Sequence, residues 1–235
     1  MANISIIPAR GGSKRIPRKN IKSFFDKPII TYSIEAAAES GLFDKIIVST
    51  DDEEIAKLAE RYGAEVPFLR SRENSDDFAT TVDVLVEVLD RCKQAGFGPY
   101  ANVCCLYPTA VFVDADILKD SYAKFNNGEL DSLIPVVKFS YPVQRAFKLN
   151  ADSKIDYERP EFKNVRSQDI QPLYHDAGQF YWSKVASILK FGSLVTERSF
   201  AYVRSELEVQ DLDTIEDWKI AEMKYRVLKE YKIEI

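Results

Sequence analysis

The sequence predicts an α/β fold in three layers, α/β/α, around a mostly parallel sheet. Short apolar runs at 4–7 and 45–49 lack the alternation of a strand with one wet face, so they read as strands buried on both sides. Between such runs lie segments of about 10 to 15 residues with helical spacing, and strands alternating with helices of that length make βαβ units. Helix punctuation agrees, because Gly41 and Gly63 stand just beyond two of these segments, where a chain leaves a helix.

In chain order, 4–7 is the first strand and 8–27 a long basic loop. Pro28 suits the start of a helix that carries Ile29, Tyr32, Ile34 and three alanines to Gly41. After the strand at 45–49, Thr50 and Glu53 spell a T-x-x-E capping box for a helix reaching Tyr62, and Asp51 and Asp52 inside it are assigned a structural role. A short strand at 65–68, a polar loop and a helix over 81–94 follow. The pattern then gives a strand at 102–106, a helix over 114–126 and a strand at 132–137. From 138 to 172 the chain is polar and proline-dotted, with 146–149 able to pair as an edge strand. So long an excursion inside a compact domain is usually functional. It is expected to form a small inserted lobe, for dimer contact and for covering the substrate, within one domain spanning 1–235. The sheet resumes at 179–182, then a helix near 184–190, a strand near 200–203 and an amphipathic helix from Thr214 to about Lys232.

At 235 residues, with 46% hydrophobic and 29% charged residues, the composition is that of a globular protein with its own core. The three cysteines, Cys92, Cys104 and Cys105, offer neither a disulfide framework nor a CxxC metal site, so a reducing cytoplasm is expected. No apolar run approaches the roughly 20 residues that cross a bilayer, so no membrane is expected. A net charge of −5 argues against nucleic acid as partner. Yet residues 1–25 hold Arg10, Lys14, Arg15, Arg18, Lys19 and Lys22 and no Asp or Glu. A disordered basic tail does not begin with a buried strand.

Ligands of open parallel sheets bind outside the carboxyl ends of the strands, which is where Ala9-Arg10-Gly11-Gly12-Ser13-Lys14 leaves the first strand. Two glycines let backbone amides turn inward as an anion-binding nest, Ser13 adds a hydroxyl, and Arg10, Lys14 and Lys19 add charge. Neither G-x-x-x-x-G-K-[ST] nor G-x-G-x-x-G is present, and the next helix begins only near residue 28. A Walker loop and a dinucleotide-binding turn are thereby excluded. At the other end of the chain, Asp211-Leu212-Asp213 puts two carboxylates at i and i+2, on one face of an extended segment. A hard cation such as Mg²⁺ takes one or two carboxylates and completes its shell with water and phosphate oxygens. The same spacing also permits a simpler reading, with Asp213 and Glu216 as a D-x-x-E helix start.

The string from Ile7 through Ala9, Arg10, Gly11, Gly12, Ser13, Lys14, Arg15 and Lys19 to Asn20 resembles the nucleotide loop of the CMP-sialic acid synthetase (CMP-N-acylneuraminate cytidylyltransferase) family. The resemblance extends over essentially the whole chain. It implies a Rossmann-like nucleotide-diphospho-sugar transferase fold, CTP as substrate, and Mg²⁺ held by Asp211 and Asp213. It implies that Arg70, Ala79 and Thr81 read the cytosine, and that Ala9, Arg10, the glycines, Ser13, Lys19 and Asn20 bind the nucleotide, with Arg10, Lys14, Lys19 and Asp211 carrying catalysis. Cys105-Leu106-Tyr107-Pro108-Thr109 departs from the family's Leu-Gln-Pro-Thr, with Tyr107 in place of Gln and Val113 in place of a later Arg. Arg166-Ser167-Gln168 resembles the family's Arg-x-Gln element, which reaches toward the sugar and phosphates, while the run from Tyr174 through His175 and Asp176 to Trp182, with Tyr107, Gln144, Arg145 and Lys148, looks like the pseudaminic acid branch. Tyr107, Thr109, Gln144, Lys148, Arg166, Gln168, His175 and Asp176 are thus the expected sugar contacts. His175, the sole histidine, has a plain structural reading too.

The implied reaction is attack of the anomeric hydroxyl of a nonulosonic acid on the α-phosphorus of CTP, releasing pyrophosphate and making a CMP-sugar for glycan or flagellin modification. No side chain in these motifs stands out as general base, and no nucleophile–base pair argues for a covalent intermediate. N-acetylneuraminate, legionaminate or 3-deoxy-octulosonate as acceptor are the alternatives within this chemistry, and a non-catalytic nucleotide-binding regulator is the alternative outside it. A homodimer through 138–172 is expected.

Overall fold

The computed structural model describes residues 2–231. Its strands and helices, in order, are β1 (Asn3–Pro8), the hairpin pair β2 (Ser23–Phe24) and β3 (Lys27–Pro28), α1 (Ile29–Ser40), β4 (Lys45–Ser49), α2 (Glu53–Arg61), α3 (Thr81–Gln94), β5 (Asn102–Leu106), α4 (Ala115–Asn126), β6 (Ser132–Lys138), the pair β7 (Phe147–Leu149) and β8 (Ile155–Tyr157), β9 (Tyr174–Asp176), β10 (Phe180–Lys184), α5 (Val185–Phe191), β11 (Ser199–Arg204) and α6 (Ile215–Tyr231). The expected end of the last helix at Lys232 lies outside the described residues.

The central sheet runs β11-β6-β10-β5-β1-β4, with β9 also beside β6. The β1–β4, β1–β5 and β6–β11 pairs are parallel, whereas β10 is antiparallel to both neighbours. The reversal follows from the excursion. β6 ends at the carboxyl edge, and the chain returns at that edge through β9, so it can re-enter the sheet only by running the other way. The kink between β9 and β10 falls at Gly178, whose φ of 61° suits a residue without Cβ. Pro135 of β6 lies opposite that kink, so its missing N–H falls where the ladder is already interrupted.

Alternating strand residues feed two apolar layers. Ile7, Val48, Cys104 and Trp182 pack with Ile30, Ile34, Leu58, Leu118 and Phe125 of α1, α2 and α4. Ile4, Ile6, Ile47, Cys105 and Tyr181 pack with Leu85, Val88, Leu89 and Ile188 of α3 and α5 on the other face. A third cluster joins Ile16, Phe24 and Tyr32 to Leu212 and Trp218, clamping α6 over the β2–β3 hairpin. The three cysteines are buried and unpaired.

Four local expectations are corrected. The 8–27 segment is no plain loop, since it contains a 3-10 turn at Lys19–Ile21 and the β2–β3 hairpin. The 65–68 strand reduces to one bridge between Glu65 and Ile47, held by Glu65 N–H to the Ile46 carbonyl at 2.8 Å. Helix α2 is capped by Asp52, whose carboxylate accepts the Glu54 and Ile55 amides, and not by a Thr50–Glu53 box. Helix α6 begins with Thr214 and Asp217 reciprocally bonded, not with Asp213 and Glu216. Asp213 is therefore released from capping.

Candidate active site

A cleft of about 600 Å³ opens at the carboxyl edge of β1, β4 and β5. One wall is the loop after β1. Its trace is fixed from below: Ala9 is buried and its N–H bonds the Ser49 carbonyl at 2.8 Å, and buried Asn20 donates to the Arg10 carbonyl at 2.9 Å. Ile16 anchors the middle of the loop in the aromatic cluster. Arg18, at φ 55°, leaves the loop to pair with Asp52 and Glu54.

The glycines act differently from the expected nest. Neither Gly11 nor Gly12 has positive φ. Gly11 is required by contact, because a Cβ there would stand 2.7 Å from Asp52 Oδ2, while its amide donates to Asp51 Oδ1 at 2.8 Å. Asp51 thus helps to fix the loop after β1 and does not only stand at a helix start. Its signal was available, since residue 51 follows β4 at the same carboxyl edge as the loop after β1.

Arg10, Ser13, Lys14, Arg15, Lys19 and Asn20 all face the cleft. Arg10 Nη1 bonds the Asp76 carbonyl at 2.9 Å and Asp77 Oδ1 at 2.8 Å, and Lys14 bonds Asp77 Oδ2 at 2.5 Å. Asp77 was not picked out by sequence reasoning, which read the 70–81 segment only for base recognition.

Asp211 and Asp213 face the same cleft, and Leu212 between them is fully buried on the opposite side. The i, i+2 geometry is as expected. Arg15 reaches Asp213 at 2.7 Å, while Lys19 donates to the Leu212 carbonyl at 2.7 Å and stands 4.0 Å from Asp213. Behind them the irregular segment is fastened through its carbonyls: Lys224 donates to those of Glu206 and Val209, and Gln179 to that of Glu208. Burial pushes the Asp211 carboxyl above its ordinary range and Asp213 adds to this, with Lys19 and Arg15 opposing. Burial likewise lowers Lys19, against the pull of both aspartates. Among the described residues no group of three or more His, Cys, Asp or Glu could cage a metal ion.

On the far wall, Arg70, Ala79 and Thr81, the residues expected at the base, line the cleft. Arg70 is partly committed elsewhere, with Nε on Ser49 Oγ and Nη2 on the Ser49 carbonyl. Thr80, with Asp83, forms the capping box of α3. Thr81 Oγ1 meets the Tyr107 hydroxyl at 2.9 Å, and the Tyr181 hydroxyl donates to the Asp176 carboxylate at 2.8 and 2.9 Å. The Tyr107 and Tyr181 rings touch edge to face at 5.4 Å. Burial raises the phenol pKa of both tyrosines, most for Tyr181, so both stay protonated.

This polar chain separates the cleft from a second cavity of about 360 Å³, lined by Thr81, Tyr107, Asp176, Tyr181, Leu194 and Val195. The expected sugar set is therefore divided. Tyr107, Thr109 and Asp176 border the two cavities. The other five sit in or beside the excursion and line neither cavity. Gln144 is buried and donates to the Gln171 carbonyl, Lys148 pairs with Glu158, and Arg166 pairs with Asp169. Gln168 lines a separate hollow of about 240 Å³, and His175 lies exposed with its ring 4.7 Å from that of Phe139. Lys148 lies on the separate β7–β8 pair of the excursion, and His175 on β9 beside Val137 of β6.

This geometry, with cations from one loop and two carboxylates from another lining one cleft at the strand ends, fits a site for a polyphosphate. Residues 4–213 match the family model described as cytidylyltransferase. The chain belongs to the cytidylyltransferase family. It is similar to the pseudaminic acid cytidylyltransferase of Campylobacter jejuni subsp. jejuni serotype O:2, at 44% identity over 97% of each chain. It is also similar to the CMP-N,N'-diacetyllegionaminic acid synthase of Legionella pneumophila, at 29% identity over 94% of this chain and 95% of the other. Its fold matches a CMP:2-keto-3-deoxy-manno-octonic acid synthetase solved with CTP, at a TM-score of 0.68 and 16% identity over 99% of this chain and 100% of that one. Cytidylyl transfer from CTP is the chemistry of this family, so the protein is a nucleotidyltransferase. No helix among the described residues is long and apolar enough to cross a membrane.

Proposed function

We propose that this cytidylyltransferase joins CMP to the anomeric hydroxyl of a nonulosonic acid, with pseudaminic acid as the acceptor. The observation that carries the reaction is the gathering of Arg10, Lys14 and Lys19 with Asp211 and Asp213 in one cleft. The 44% identity to a pseudaminic acid cytidylyltransferase supports the choice of acceptor. In this reading CTP lies with its base toward Arg70, Ala79 and Thr81. Arg10 and Lys14 hold the phosphates that leave as pyrophosphate, and Lys19 meets charge developing near the α-phosphate. The acceptor takes the second cavity, where Tyr107 and Asp176 present polar groups beside the apolar Leu194 and Val195. Its hydroxyl oxygen forms the new bond to the α-phosphorus, the bond to the bridging oxygen breaks, and pyrophosphate carries that electron pair away while the hydroxyl proton passes to solvent.

Asp211 and Asp213 fit a Mg²⁺ ion that completes its shell from phosphate and water, because burial and mutual repulsion leave Asp211 short of positive charge. Bound there, Mg²⁺ would neutralise charge on the phosphates. The expected contacts of Gln144, Lys148, Arg166 and Gln168 would then be made across a homodimer in which residues 138–172 of one chain cover the site of the other. The exposed apolar side chains of Phe147, Leu149 and Ile155 favour that pairing. A cytoplasmic location, where CTP is made, completes the reading.

The test is a panel of pseudaminic, N-acetylneuraminic and legionaminic acids with CTP and Mg²⁺, scored by CMP-sugar and pyrophosphate. Pseudaminic acid should turn over fastest. Turnover of N-acetylneuraminic acid alone overturns the choice of acceptor, and absence of pyrophosphate release with every acid overturns the reaction.

A further inference from the structure

We propose that Asp77 is a built-in competing anion, which weakens the enzyme's hold on the β- and γ-phosphates and thereby speeds pyrophosphate release. The inference rests on the assignment above of Arg10 and Lys14 to those phosphates.

The geometry is that of a carboxylate standing where an anionic ligand would stand. Asp77 Oδ1 accepts Arg10 Nη1 at 2.8 Å and Oδ2 accepts Lys14 at 2.5 Å, so one carboxylate bridges the two cations. The second Nη1 proton of Arg10 goes to the Asp76 carbonyl at 2.9 Å. Both protons of that nitrogen are thus spent on one loop, and a phosphate that uses Nη1 must take it from Asp77. The carboxylate is held in place for this. Asp76 Oδ1 folds back onto the amides of Phe78 and Ala79, each at 2.8 Å, which turns the chain so that Asp77 points at the cationic loop. The Asp77 side chain is 46% exposed, makes no other hydrogen bond among the described residues, and lines the cleft between the two walls.

A triphosphate carries about four negative charges and free pyrophosphate about three, so either must displace one carboxylate from two cations, but pyrophosphate, unlike CTP, has no base or ribose contacts to add to that contest. Rebinding of Asp77 to Arg10 and Lys14 then opposes recapture of the product. CMP, which ends at the α-phosphate, does not contend for these cations.

The test compares Asp77→Asn, Asp77→Glu, Arg10→Ala and the distant surface control Glu60→Gln in steady-state kinetics with CTP, with pyrophosphate and CMP as inhibitors. Exposed ion pairs of this kind correspond to about two- to fivefold in binding. Asp77→Asn should therefore lower both the KM for CTP and the inhibition constant of pyrophosphate by about two- to fivefold, leave CMP inhibition unchanged, and reduce kcat where pyrophosphate release limits turnover. Asp77→Glu should stay near the parent, as should Glu60→Gln. Unchanged pyrophosphate inhibition in Asp77→Asn, or equal tightening of CMP, overturns the proposal, the latter because a general charge effect would produce it. Arg10→Ala separates the two levels. A raised KM for CTP in that variant keeps the phosphate assignment standing whatever Asp77 does, and an unchanged KM removes the assignment and the proposal together.

Discussion

Replacing Lys19 by Met keeps the aliphatic stem and removes only the ammonium. In the structure that group is largely buried, donates to the Leu212 carbonyl at 2.7 Å and stands 4.0 Å from Asp213. A hydrogen bond from a charged donor contributes about 1.5–3 kcal/mol. For a domain of this size each kcal/mol moves the melting temperature by about 2–4 °C, so a fall of roughly 3–12 °C is expected. Leu212 remains packed against Phe24 and Trp218, so the segment should stay attached while the two aspartates lose their fixed direction. The catalytic consequence is then specific: the Mg²⁺ concentration for half-maximal rate and the KM for CTP should both rise at least about tenfold. The assay is a thermal melt paired with CTP kinetics at several Mg²⁺ concentrations, with Lys22→Met as control, since Lys22 lies 5.5 Å over the Trp218 ring. A lowered melting temperature with unaltered Mg²⁺ and CTP dependence would refute the reasoning and leave Lys19 a structural residue.

Gly11→Ala forces a Cβ toward Asp52 Oδ2, which is 2.7 Å from the ideal position, and should raise the KM for CTP at least about tenfold while costing about 1–3 kcal/mol in stability, read by kinetics and denaturant melts. Tyr181→Phe removes the donor to Asp176 and should raise the acceptor KM while leaving the CTP KM within about twofold, a split that initial-rate kinetics reads directly. Arg18 holds the Asp52 carboxyl below its ordinary value of 3.8. A depressed carboxyl pKa adds stability above the unfolded value and loses it as pH falls through the folded one. The difference in melting temperature between the parent and Arg18→Met should accordingly be full at neutral pH and shrink below about pH 4; a difference that persists in acid contradicts the ion pair.

The fold was legible where local chemistry and tertiary packing agree. The α3 helix runs over Thr81–Gln94 as the pattern predicts, because Thr80 and Asp83 form a full capping box and the apolar spacing matches the buried face. Two other capping boxes were misplaced, at Thr50 and Asp213, since a T-x-x-E or D-x-x-E spelling does not say which of several adjacent acceptors reaches the free amides. Asp52 and Thr214 win by position. The antiparallel course of β10 was not legible, because strand direction is decided by where the 138–172 excursion re-enters the sheet. In the site, the cationic loop was legible from its charge, whereas spacing left Asp211 and Asp213 open between a cation pair and a helix start, and only the resemblance favoured the former; the structure brings both to one cleft. Asp77 and Tyr181 were not legible, because their roles come from partners 67 and 5 residues away. Lys148 and Arg166, expected at the sugar, pair instead with Glu158 and Asp169, partners that the family-like spelling of their segment does not reveal.

Crystals grown with CTP and Mn²⁺ in place of Mg²⁺, examined by anomalous scattering, put the central claim to the most direct test. The account predicts a metal peak between the Asp211 and Asp213 carboxylates, with triphosphate oxygens on Arg10 and Lys14 and Asp77 displaced from both. A triphosphate bound elsewhere, with Asp213 still paired to Arg15 and no metal at either aspartate, would contradict it.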